Sequence, residues 1–209
     1  ERAAPRSQDR GGGGAAMSAV LARRATEPVR AYLACARLAW IDDVDGFAAR
    51  FTAGAAIERA AGDAMLPFRR AVVRALLSEV REARKATGAC SGCDCKQPCE
   101  TPLDPQAFEA FERAWAQAVL AEASARAARA SEAAGDADAW EIYHRAALEG
   151  AETAALARER GITTADARTR AARAAARFDA ALRETLAEEG VAAEDADDEL
   201  AWLMEAAMR

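Results

Sequence analysis

Between residues 152 and 178 a single glycine, Gly161, interrupts two runs that both carry helical spacing. Few folds accommodate that pattern. Glycine accepts the left-handed backbone that a sharp helix stop needs. A helix is therefore expected over 152–159, with Ala154, Ala155 and Leu156 on its inner side. Ile162 plugs the corner, and Thr163 or Thr164 caps the next helix, with Asp166 against its positive end. That second helix carries Arg168, Arg170, Arg173 and Arg177, the last three stepping by three and four along one face. A short helix, a glycine corner and an arginine-bearing helix fit a helix-turn-helix, whose second helix enters the major groove. The same residues also fit an ordinary helical hairpin with a solvated arginine stripe.

Composition matters here because it removes the alternatives to helix. Alanine and arginine dominate, lysine occurs only at Lys85 and Lys96, and β-branched residues are few, which favours helix nearly everywhere. The expected class is all-α. The 209 residues allow two small domains or one helical domain with tails. Net charge is −6, from 28 basic and 34 acidic groups, so a generic polyanion binder is excluded. Residues 1–103 hold 16 basic and 12 acidic groups, and 104–209 hold 12 and 22. Within that acidic half, Arg158 to Arg177 places six arginines against Glu159 and Asp166, a basic island. No run of eighteen apolar residues and no signal-peptide core occurs, so no membrane partner and a cytoplasmic location are expected.

Residues 1–19 read as a disordered leader, with Met17 a natural start. Residues 18–39 read as a helix or two, with Thr26 as a cap ahead of Glu27 and Pro28. Cys35 there reads as a lone buried thiol. In 41–51, Val44, Phe47 and Phe51 make an apolar ridge beside Asp42, Asp43 and Asp45. Residues 55–64 read as a small-residue spacer. From Pro67 a helix follows, with Phe68, Val72, Val73, Leu76, Leu77 and Val80 on one side. Arg69, Arg70, Arg74, Arg81, Arg84 and Lys85 cover the other, where they can meet phosphates.

Cys90, Cys93, Cys95 and Cys99 stand as C-x2-C-x-C-x3-C in a Gly- and Pro-containing linker. Thiols so crowded make poor unstrained disulfides. Thiolates on a tight turn suit tetrahedral zinc or a small iron–sulfur cluster; a redox-active dithiol or an idle linker is the alternative. The first three cysteines resemble the [2Fe–2S] loop of superoxide-responsive MerR-type regulators, with a shorter last spacing. Zinc is the simpler expectation.

A long helix is expected over 106–134, with Phe108, Phe111, Trp115 and Val119 as a core stripe. Trp140, Tyr143 and Leu148 build a short helix before the glycine corner, and His144, the only histidine, reads as an ordinary residue there. In the tail, Asp195, Asp197, Asp198 and Glu199 cap a last helix that docks through Leu200, Trp202 and Leu203. No phosphate-cradling loop is present, and a histidine-assisted nucleophile would depend on His144 alone, so no enzyme is expected.

Two stretches resemble a known family. Residues 152–178 and the FDAALRETLAEEG that follows are similar to region four of extracytoplasmic-function sigma factors, with Arg177-Phe178 and Leu182-Arg183-Glu184 in the family frame. Alanine stands at 174–176, where the family has a basic run. Asp42, Val44, Gly46, Phe47, Ala49 and Arg50 fall in the frame of the region-two helix that grips the polymerase clamp, with Asp45 and Ala48 departing from it. The resemblance covers most of 25–205 at the level of pattern. It implies, after the disordered leader (1–19) and on either side of the Cys-rich linker (87–105), a region-two-like helical domain (20–86) and a region-four-like helix-turn-helix domain (106–209). It further implies core RNA polymerase as a partner, through Asp42, Val44, Phe47 and Arg50. Promoter DNA would be met by Thr163, Thr164, Arg168, Arg170, Arg173 and Arg177, and an opposing anti-sigma factor is allowed. The cysteine site would modulate the arrangement by metal or redox state. The rival reading is a helical metal-binding sensor or adaptor that has lost promoter binding.

Overall fold

Helical spacing of alanine with larger apolar residues yields helix in nearly every described stretch, and no strand occurs among the described residues. The computed structural model describes residues 12–63, 65–88 and 104–209, with side chains from residue 19 onward. No described helix is long and apolar enough to cross a membrane.

The first helix, α1 (Gly12–Ala36), runs straight through the expected restart at Thr26 and Pro28. Thr26 does not cap; its hydroxyl donates to the Ala22 carbonyl at 3.1 Å. Proline forfeits one ladder bond. What offsets it is the face Leu21, Ala25, Val29, Tyr32 and Leu33, all buried, most extensively against α5 (Pro105–Ala133). Asp104 caps α5 by accepting from the Gln106 and Ala107 amides at 2.9 and 3.3 Å. Phe111, Trp115, Val119, Ala123 and Ala127 step by four and are fully buried, with the Phe111 and Trp115 rings 5.5 Å apart. Phe108 is only half-buried and stacks on Phe111.

Around this pair lie α2 (Val44–Ala53), α3 (Ala55–Ala61) and α4 (Phe68–Ala86). The expected spacer is thus largely helix, because Ile57 is apolar and finds a buried seat. On α4, Phe68, Val72, Leu76 and Val80 are buried, while Arg70, Arg74, Arg81 and Lys85 are exposed. Arg69 departs from the expected solvated side. It is buried, donates to Glu199 at 3.0 Å and Glu112 at 3.4 Å, and lies 3.6 Å over the Trp202 ring. It thereby ties α4 to α5 and to the last helix, α9 (Ala196–Met208), which also docks through Leu203 and Ala206.

Three further helices follow α5 among the described residues before α9: α6 (Ala137–Tyr143), α7 (Thr153–Glu159) and the long α8 (Thr164–Glu188). A π-helical turn, His144–Leu148, extends α6. The second half of α8 packs on α5 through Phe178, Ala181, Leu182 and Leu186, within the core that also holds Leu33, Val72 and Trp115. Residues on both sides of 87–105 therefore share one core. The first half of α8 belongs to a separate small core with α6 and α7.

Charge is buried where α1, α5 and α8 meet. Arg24 donates to Glu189 at 2.8 Å and Glu122 at 2.6 Å, and Arg126 to Glu122 at 2.5 Å and Glu188 at 2.6 Å. Trp115 Nε1 donates to the other Glu189 oxygen at 3.2 Å. Burial pushes the Glu189 carboxyl up against the opposing pull of Arg24 and Trp115. Burial also acts upward on Glu122, but Arg24 and Arg126 hold it below the usual carboxylate range.

Candidate nucleic-acid interface

The glycine corner forms as its residues dictate. Gly161 has φ +65°, and nothing lies within 4 Å of where its Cβ would be, so backbone conformation alone selects glycine. The Ile162 amide donates to the Ala157 carbonyl at 3.0 Å and the Gly161 amide to Arg158 at 3.2 Å, closing α7 with a Schellman motif. That places Ile162 over the small core of Ile142, Leu156, Ala157 and Ala167. Thr163 then caps α8: its hydroxyl oxygen accepts from the Asp166 amide at 3.1 Å and its O–H donates to the Asp166 carboxylate at 2.6 Å. The result is two helices at a tight corner with their own hydrophobic seat, supported by α6.

The outward face of α8 runs along positions 165, 169, 172 and 176, opposite the buried Ala167, Ala174 and Phe178. It is occupied by Ala165, Thr169, Ala172 and Ala176, so it is small and nearly uncharged. Thr163 is exposed at its start and Thr164 half-buried. Arg168 flanks one side, exposed and in no ion pair among the described residues. Arg170, Arg173 and Arg177 share one face, as their spacing requires, and that face turns toward α6. Arg170 lies 3.5 Å from Asp138, and Arg173 and Arg177 lie 2.9 and 3.9 Å from Asp136. Arg177 also reaches Ser131 Oγ at 3.3 Å, while Arg160 bridges Asp138 and Glu141, each at 2.5 Å. Asp136 and Asp138 thus bear directly on the arginine face. Their spacing at the start of a helix was readable in the sequence, but their contact with α8 was not.

The four residues expected to meet polymerase, Asp42, Val44, Phe47 and Arg50, sit just before α2 and along it. Asp43 caps this helix, accepting from the Gly46 amide at 2.8 Å. Asp42 and Arg50 are exposed; Val44 and Phe47 are half-buried against the main core. Phe47 and Arg50 line a groove with Phe51, Gly54, Arg59 and Glu79. Cys90, Cys93, Cys95 and Cys99 lie outside the described residues. Among the described residues no group of histidine, cysteine and acidic side chains is arranged to hold a metal ion. His144 is half-buried, with Nδ1 3.1 Å from a Glu149 oxygen.

No family model, curated protein or solved structure matches this chain.

Proposed function

We propose that the chain is a DNA-binding transcription factor of the extracytoplasmic-function sigma type. Its α6–α8 unit would read duplex, and its α2 region would meet core RNA polymerase. One observation carries this reading: a corner closed at Gly161 joins two helices with a hydrophobic seat of their own and leaves Thr163, Arg168 and Thr169 exposed. In a major groove, Thr163, Thr164 and Thr169 offer hydroxyls to phosphates or base edges, and Arg168 offers a two-pronged donor. The small alanines along the outward face allow close approach. Residues 20–86 would supply Asp42, Val44, Phe47 and Arg50 to the polymerase, residues 106–209 the DNA contact, and the cysteine segment a zinc or [2Fe–2S] switch between them. The site would work in the cytoplasm, with no catalysis by the chain itself.

Fluorescence anisotropy with the duplex upstream of the chain's own gene tests the DNA contact. Arg168→Ala should weaken binding by about 1–3 kcal/mol if it reads a base. Unchanged binding removes that role. Retention of the chain by purified core polymerase, reduced by Asp42→Ala and Phe47→Ala, tests the other half.

A second reading is favoured by the pairing of Arg170, Arg173 and Arg177 with the chain's own carboxylates. On that reading the chain is a helical metal-binding sensor or adaptor that no longer grips promoters. Polymerase or metal binding without any duplex binding would select it.

A further inference from the structure

Two acidic residues at the start of α6 lie against the arginine face of α8, whose central side chain, Arg173, is still half exposed. The corner after α5 repeats the geometry of the corner after α7: Gly135 has φ +68°, and the Asp136 amide donates to the Ser131 carbonyl at 2.9 Å. This backbone sets Asp136 beside α8. Asp136 occupies the N-cap position of α6, where an aspartate ordinarily accepts from the amides of the first turn. Here it makes no such bond. Its carboxylate instead lies 2.9 Å from Arg173 and 3.9 Å from Arg177, at 16% exposure. Two residues on, Asp138 takes Arg160 and Arg170. Ser131, whose carbonyl fixes the corner, also accepts from Arg177 through its hydroxyl. Both carboxylates border an open groove with Glu132, Gly135 and Arg170.

We propose that Asp136 and Asp138 form a built-in clamp that holds the arginine face of α8 closed until the phosphate backbone of a nucleic acid displaces them. The inference rests on the helix-turn-helix reading of α6–α8. A carboxylate oxygen and a phosphate oxygen make the same charge-assisted contact with a guanidinium. The two acids therefore stand where phosphates would stand. Binding through this face exchanges one anion for another, so the gain per contact is small while the clamp is intact. Arg168, outside the clamp, makes its contact at no such cost.

The test is anisotropy with a 30-bp duplex of arbitrary sequence, using the full chain at about 50–200 mM NaCl. The D136N/D138N variant should bind more tightly than wild type at low salt. Its slope of log affinity against log salt should be steeper by about 2–3, from roughly 0.9 for each released arginine. Over that fourfold salt range its advantage should shrink by about sixteen- to sixty-fold. In an R170A/R173A/R177A background the same two substitutions should gain nothing. The E132Q variant, which removes a neighbouring carboxylate that is in no ion pair among the described residues, should leave the slope unchanged. Asparagine keeps the size and shape of aspartate without its charge; if the double variant melts early, D138N alone serves, with a steepening of about 1 from Arg170.

Equal affinity of D136N/D138N and wild type overturns the clamp. So does a gain that survives without the arginines, or one that E132Q matches. If wild type binds through Arg168 and the double variant gains nothing, the clamp fails alone. If no variant binds duplex at any salt, the helix-turn-helix reading fails and the clamp falls with it.

Discussion

Arg24→Leu should be among the most damaging single substitutions in the chain. Arg24 is 5% exposed and Glu189 3%, and the guanidinium joins Glu189, Glu122 and Glu188 across three helices. Leucine fills part of the volume but leaves Glu189 with Trp115 Nε1 as its one side-chain donor among the described residues. Glu122 and Glu188 keep Arg126, so the loss concentrates on Glu189. Removing one partner of a buried pair costs about 3–5 kcal/mol. For a chain of this length each kcal/mol moves the midpoint by about 2–4 °C, so Tm should fall by roughly 6–20 °C. Acid should narrow the deficit. Burial holds Glu189 above its unfolded value, so its contribution is complete below that value and fades as pH rises through the folded one. Without Arg24 the upward push is less opposed, and protonation relieves the variant as pH falls. Glu122 runs the other way. Arg24 and Arg126 hold it below its unfolded value despite burial, so its contribution is present above that value and lost as pH falls through the folded one. Wild type thus loses in acid some of what the variant already lacks. Denaturant melts of both proteins from about pH 7 to about pH 4 measure the gap. A gap that stays constant or widens on acidification, or a loss below about 1 kcal/mol at neutral pH, refutes the reasoning.

Gly161→Ala should cost about 1–2 kcal/mol, since only the left-handed backbone opposes the methyl group; hydrogen exchange should show faster opening in α7 than in α4. Arg69→Ala should loosen α9, detected as lost protection along Ala196–Met208, and Arg69→Lys should not restore it, because a point charge cannot span Trp202, Glu199 and Glu112 together. Protein purified anaerobically should carry zinc or iron that is lost when Cys90, Cys93, Cys95 and Cys99 become serine; four free thiols and no metal would eliminate the site.

Local chemistry made much of the fold legible in advance. The glycine corner, a threonine cap at 163 or 164, the long helix from about 106 and the stripe of Phe111, Trp115 and Val119 all follow from rules acting over three or four residues. Spacing also put Arg170, Arg173 and Arg177 on one face. What that face meets is a different kind of fact. Asp136 is more than thirty positions earlier, and only the packing of α6 on α8 brings the two together. The same distinction explains Arg69, which is one more basic residue in a helical repeat until α5 and α9 surround it with Glu112, Glu199 and Trp202. It explains Pro28 as well: propensity marks a helix start, but burial of Val29 and Leu33 against α5 carries α1 through.

Sequence alone determined that the described residues are helical and that a corner falls at Gly161, because backbone conformation and capping depend on neighbours along the chain. Tertiary structure decided which charges are spent inside the molecule and which face outward. A guanidinium binds whichever carboxylate the fold brings within reach, and no periodicity records that.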